Sequence, residues 1–247
     1  MIVLKSGEEI EKMRVSGAIV AGALRLAGEK IAPGITTGDL DALLEAFIRD
    51  HGAEPSFKGY NGFPASICAS VNDEVVHGIP GKRVLEEGDV IGVDVGAVKD
   101  GYHGDAATSF PVGVVDEKAE RLLKITRRAL YMGIEQAKPG NYLSDIGHAV
   151  QKEAEREGFS VVRKLVGHGI GRKMHEEPQI PNFGRPGRGV LLREGMTIAI
   201  EPMVNEGGYD VRVLDDDWTV VTADGSRSAH FEHTVAIRAD GPDILTS

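Results

Sequence analysis

Asp94, Asp105, Glu201 and Glu232 are acids where the surrounding sequence gives no reason for one. The segment from Leu85 to Asp94 (LEEGDVIGVD) matches that from Leu192 to Glu201 (LREGMTIAIE) at an offset of 107 residues. Each reads as a glycine turn followed by a buried apolar strand that ends in a carboxylate. Such a charge is costly to bury unless a partner holds it. Asp105 lies on the return strand of a hairpin whose turn reads as Lys99-Asp100-Gly101, which brings it against Asp94. In the second half, His230-Phe231-Glu232 echoes His103-Gly104-Asp105. Taken singly, each acid is an ordinary strand-end residue; four in duplicate on apolar strands are not. Four neighbouring carboxylates repel, and most would protonate at neutral pH without cations. The strand motifs carry no cluster of Lys or Arg, whereas two divalent ions would balance the charge, and two-metal sites are built from such carboxylates.

Histidine refines the choice of metal. His77-Gly78-Ile79-Pro80 and His168-Gly169-Ile170-Gly171 form another duplicated motif, each read as a glycine-rich turn where backbone and ligand can approach closely. An imidazole beside carboxylates tilts the preference toward transition metals. His175 follows in Lys173-Met174-His175-Glu176 and is weaker on spacing alone. His51, His103, His148, His230 and His233 read as structural or surface residues.

The elements that position these residues also repeat. Pro33-Gly34 recurs as Pro139-Gly140, and Asp39-Leu40 as Asp145-Ile146, each at an offset of 106 residues. They frame helices at roughly 38–51 and 143–157, with apolar residues at helical spacing. Longer helices precede them. One starts after Ser6, with Glu9 completing a capping box, and the other runs from Asp116 to about Ala137. Strands are expected at 66–71, 89–98 and 102–111, then at about 160–165, 196–204, 209–214, 217–222 and 230–238. Two helices followed by antiparallel strands, twice over, give an α+β fold with one continuous sheet and helices on one face. The chain reads as a single domain, 1–247, with an internal repeat of roughly 1–112 and 113–247. The Arg185–Gly189 segment and the Asp215–Asp217 run read as solvated loops.

Composition is that of an ordinary soluble globular protein. Of 247 residues, 41% are hydrophobic and 27% charged, enough for a sizeable core. The net charge of −10 argues against nucleic acid as the main ligand. The single cysteine, Cys68, excludes an internal disulfide and suits a reducing cytoplasm. Neither a signal peptide nor a membrane span is legible.

The ordered set Tyr60-Asn61-Gly62-Phe63-Pro64, His77-Gly78-Ile79-Pro80, Asp94-Val95-Gly96, His103-Gly104-Asp105, Gly167-His168-Gly169-Ile170-Gly171, Pro178, Ile200-Glu201-Pro202-Met203 and Glu232-His233-Thr234 resembles the type I methionine aminopeptidases across nearly the whole chain. The resemblance implies the pita-bread fold, a pseudo-two-fold α+β architecture with a curved antiparallel sheet. It implies metal ligands at Asp94, Asp105, His168, Glu201 and Glu232, with Asp105 and Glu232 shared between two ions, Asp94 on one, and His168 with Glu201 on the other. Cobalt, manganese, iron and zinc are all admitted. His77 and His175 would contact substrate, and Glu201 would also move a proton. The implied reaction is removal of initiator methionine from nascent chains with a small second residue, by a water or hydroxide bridging the two ions. Tyr60, Phe63, Cys68 and Trp218 match the methionine pocket of the family. Aromatic faces and sulfur suit a thioether. The chain departs from common family patterns at Met174 and Phe57, and both positions stay apolar.

Two other readings compete with this one. Xaa-Pro peptidases share the fold and the five ligands but carry an N-terminal domain for which this length leaves no room; the type II enzymes carry a helical insertion that is also missing. A non-catalytic or metal-free relative would have lost ligands that are all present here. The remaining expectations are a cytoplasmic monomer that acts on nascent N-termini, needs neither membrane nor nucleic acid, and has a substrate that transient ribosome association would suit.

Overall fold

A computed structural model describes residues 1–247. The first half contains α1 (Gly7–Lys30), α2 (Thr37–Asp50), and strands β1 (Glu54–Pro55), β2 (Ile67–Val71), β3 (Glu74–Val76), β4 (Val90–Lys99) and β5 (Tyr102–Pro111). The second contains α3 (Glu117–Ile134), α4 (Leu143–Arg156), β6 (Ser160–Val161), β7 (Gly167–Gly169), β8 (Glu176–Ile180), β9 (Thr197–Ile200), β10 (Met203–Asn205), β11 (Val211–Val213), β12 (Val220–Thr222), β13 (Ser228–His230), β14 (His233–Arg238) and β15 (Gly241–Ile244).

Helix starts follow the local sequence. Ser6 and Glu9 cap α1 reciprocally, and Thr36 with Asp39 does the same for α2. These side chains satisfy N–H groups that have no partner within the helix. The Asp116 carboxylate accepts from Ala119 N to open α3. That helix stops at Ile134, short of the expected Ala137, because tight bonds from Gln136 and Ala137 to Gly133 and Ile134 close it ahead of Pro139.

The antiparallel ladder is divided into four hydrogen-bonded sheets where one continuous sheet was expected. The expected strand 196–204 divides at Glu201-Pro202, and 230–238 divides at Phe231-Glu232. Pro202 has no N–H to give a ladder, so pairing stops there. Both breaks fall at candidate ligand acids. The β4–β5 turn is shorter than expected. Lys99 pairs with Tyr102, leaving Asp100 and Gly101 as a two-residue turn with φ of 51° and 77°. Positive φ at both positions is what a hairpin of this length requires.

Each half packs helices on strands. Leu40, Leu44 and Ile48 of α2 meet a core that includes Ile67, Ile91 and Val93, while Leu122, Leu130 and Ile146 share another with Ile198, Val235 and Ile237. Leu44 is fully buried, so truncation to Ala would cost about 2–5 kcal/mol. A smaller cluster containing Phe57, Phe63, Cys68 and Met174 lies apart from both. The halves are stitched by reciprocal bonds: Ser109 Oγ donates to His230 O and accepts from His230 N, both at 2.9 Å. No helix is long and apolar enough to cross a membrane.

Candidate metal centre

The strand registers gather the acids. Gly96 pairs with Asp105 and Ala107 with Asp94, which makes the two aspartates diagonal neighbours on one face of the β4–β5 hairpin. Cys68 pairs with Asp94 from the other side. Glu201 directly follows β9 and Glu232 directly precedes β14. Because His233 pairs with Ile200, the two glutamates stand side by side just beyond the ladder. Glu232 N donates to Ala107 O at 2.9 Å, tying the second half to the hairpin of the first. His168 sits in the middle of β7, paired with Ala199 and Gln179, and not on a turn as expected. His77 lies in the irregular segment after β3, with φ of 61°.

Ligand atoms of Asp105, His168 and Glu232 all lie within 4.8 Å of one another. His168 Nε2 is 3.6 Å from Glu201 Oε1 and 3.7 Å from Asp105 Oδ2. One oxygen each of Asp94, Asp105 and Glu232 is buried with no hydrogen-bond partner. Burial holds the Asp94 carboxyl well above the carboxylate range, and the adjacent Asp105 charge adds to this. Burial pushes Asp105 up to about 8. Glu201 and Glu232 are raised by burial first and by neighbouring acids second. His168 is lowered by burial and therefore neutral, the form that ligates metal. Buried acids without donors, next to a neutral imidazole and with no Lys or Arg in the lining, fit a divalent cation site.

Above the acids lies a cavity of about 220 Å³. Every site residue expected from the sequence lines it: Tyr60, Phe63, Cys68, His77, Asp94, Asp105, His168, His175, Glu201, Trp218 and Glu232. Phe57, Asn61 and Met174 complete the wall. Phe63 meets Trp218 edge-on, with centroids 5.1 Å apart. The rings of His168 and His175 are 4.2 Å apart, and His175 Nδ1 is 2.8 Å from the Tyr60 hydroxyl. Desolvation first, and a neighbouring histidine second, hold His77 and His175 down to about 4.

His230 belongs here too, where a structural or surface residue was expected. Its Nε2 is buried, lacks a hydrogen-bond partner and lies 3.9 Å from Glu201 Oε2. Strand alternation could not have found it, because β13 ends at His230 and Glu232 lies in the break before β14. His103 does have a structural partner, Ser56 Oγ at 2.8 Å.

Metallopeptidase family M24 matches residues 11–239 of the chain. The methionine aminopeptidase of Clostridium perfringens is 56% identical over 246 residues, covering 100% of this chain and 99% of that protein. The crystal structure of methionine aminopeptidase from Thermotoga maritima superposes with a TM-score of 0.99 at 51% identity, covering all of both chains. Prolidase from Pyrococcus furiosus shares the fold at a TM-score of 0.82 and 25% identity, but this chain covers only 65% of it. Similarity that runs through full length to the methionine-specific relatives, and only through part of the prolidase, decides between the two enzyme readings. The chain belongs to metallopeptidase family M24, among its methionine aminopeptidases, and hydrolyses N-terminal peptide bonds.

Proposed function

We propose that the protein removes initiator methionine from nascent chains whose second residue is small, using two divalent ions held by Asp94, Asp105, His168, Glu201 and Glu232. The observation that carries this reading is the buried carboxylates of Asp105 and Glu232 with the half-buried Asp94 and Glu201 and a neutral imidazole, all lining one cavity of about 220 Å³ with aromatic walls. Asp105 and Glu232, one from each half, would hold the ions together with Asp94, His168 and Glu201. When bound, such ions lower the pKa of water and polarise a carbonyl.

The chain's own residues supply the rest. Tyr60, Phe63, Cys68 and Trp218 hold the methionine side chain, and Phe57 and Met174 keep the wall apolar. The carboxylates attract the free amine of the substrate, which restricts cleavage to the first peptide bond. Glu201 takes the proton from the attacking water and passes it to the leaving amine. A Tyr60 hydroxyl that donates to Nδ1 of His175 leaves Nε2–H free to donate to the developing oxyanion. His77 meets the scissile peptide from the opposite wall. Crowding by His77, His168 and His175 beyond that bond favours a small second residue.

Residues 1–247 act as one catalytic domain with the site between the halves. The ions are cobalt, manganese, iron or zinc, the setting is cytoplasmic, the protein is a monomer, and substrates are met at or near the ribosome. Release of methionine from Met-Ala-Ser, little from Met-Lys-Ser, and no cleavage of an Ala-Pro peptide are expected. Cleavage of Ala-Pro without Met-Ala-Ser would overturn the assignment.

A further inference from the structure

A second cavity, separate from the catalytic pocket, lies between α1 and α3. Its volume is about 880 Å³, within the range of small-molecule sites. Arg25 projects into it from α1, and Lys124, Arg127 and Arg128 from α3. No Asp or Glu lines it, although the chain has 38 acids and 28 bases. Arg128 is held by Glu153 and Glu157, whereas Arg25, Lys124 and Arg127 are exposed and have no ion-pair partner. The half-buried Phe110, Tyr131 and Thr108 also line it, with the Arg127 guanidinium 5.9 Å from the Tyr131 ring centroid.

We propose that this groove binds a compact organic phosphate, a nucleoside diphosphate, with its phosphates on Arg25, Lys124 and Arg127 and its base against Phe110 and Tyr131. Two guanidinium forks favour phosphate oxygens, and three unpaired cations suit the charge of a diphosphate. The aromatic floor gives a planar base a surface that inorganic phosphate would leave uncovered. A long polyanion is disfavoured, because beyond the groove it would run along a protein of net charge −10. The site is independent of the peptidase reading and stands or falls separately.

Calorimetric titration of the metal-loaded enzyme with ADP, adenosine, pyrophosphate and a short single-stranded RNA tests it. ADP should bind more tightly than adenosine or pyrophosphate, and its affinity should fall with added salt. The triple variant Arg25→Gln/Lys124→Gln/Arg127→Gln should lose roughly tenfold or more in ADP affinity. Its turnover of Met-Ala-Ser and its melting temperature should stay unchanged, because the three side chains are exposed and none of them lines the catalytic cavity. No saturable ADP binding overturns the proposal. So does equal binding by the triple variant, which would place ADP at the catalytic ions. RNA binding tighter than ADP would replace the compact ligand with a polyanion and overturn it as well.

Discussion

The hydroxyl of Thr234 accepts from the backbone N–H of Asp105 at 3.1 Å and donates to its carbonyl at 2.8 Å. One fully buried side chain of the second half thus satisfies both backbone groups of an acid in the first. It also fixes where Glu232, two residues away, stands relative to Asp105. Thr234→Val keeps the shape and strands two buried polar groups, which should cost about 2–3 kcal/mol in chemical denaturation. Thr234→Ser should stay near wild type. An unchanged denaturation midpoint for the valine variant would remove the hydroxyl from this account.

Metal and pH should act on stability together. Without metal, the folded-state carboxyl of Asp105 is pushed up to about 8 by burial, and Asp94, Glu201 and Glu232 are raised as well. The folded protein then holds protons that the unfolded chain has released, so stability falls as pH rises toward 8. His77, His175 and His230, lowered to about 4, 4 and 3, act in the opposite sense, but only below their unfolded value of 6.5. The window between pH 6.5 and 8 therefore isolates the acids. Melting temperature in chelator should fall across it, while added manganese should stabilise more at pH 8 than at 6.5, since metal competes with protons for these ligands. A chelated protein that gains stability across this window would contradict the raised carboxyls.

What could be read from the sequence was what the duplication had written twice. Asp94 and Glu201 hold matching places in the repeat, though Asp94 lies inside β4 and only Glu201 follows the end of its strand, and two helices recur before each set, so the α+β class and the acid cluster were visible. His230 escaped because its site role depends on the break after β13 that turns Glu232 toward Glu201. The same breaks divide the sheet into four, an outcome of Pro202 and of tertiary pairing that strand periodicity does not carry. The strand Gly167-His168-Gly169 has almost no intrinsic strand preference and exists because β8 and β9 pair on either side of it. The basic groove was hidden for a different reason. Arg25 and Lys124 lie far apart in sequence, and a net charge of −10 averages them away.

Tyr60 was expected as a wall of the methionine pocket, yet its hydroxyl also meets His175. The two roles separate in Tyr60→Phe, which keeps the ring and loses the hydrogen bond. If the hydroxyl fixes the tautomer of His175, kcat for Met-Ala-Ser should fall about 2- to 10-fold with KM little changed, in line with a net hydrogen bond of about 0.5–1.5 kcal/mol. A wall role alone would leave kcat untouched.

Lys5 and Glu176 form an ion pair with side chains only 4% and 12% exposed. Lys5 N also donates to Gly195 O at 2.7 Å, so the arm before α1 is fastened beside the loop that carries His175. Lys5→Met leaves the Glu176 carboxylate buried without its counter-charge, which should cost about 3–5 kcal/mol. Lys5→Met/Glu176→Leu removes both charges and should recover most of that stability, because two apolar side chains of similar size need no desolvated partner. Denaturant titration of the two variants against wild type decides it. If the double variant is as unstable as the single, the loss arises from packing of the Lys5 stem against Gly171 and not from the stranded charge.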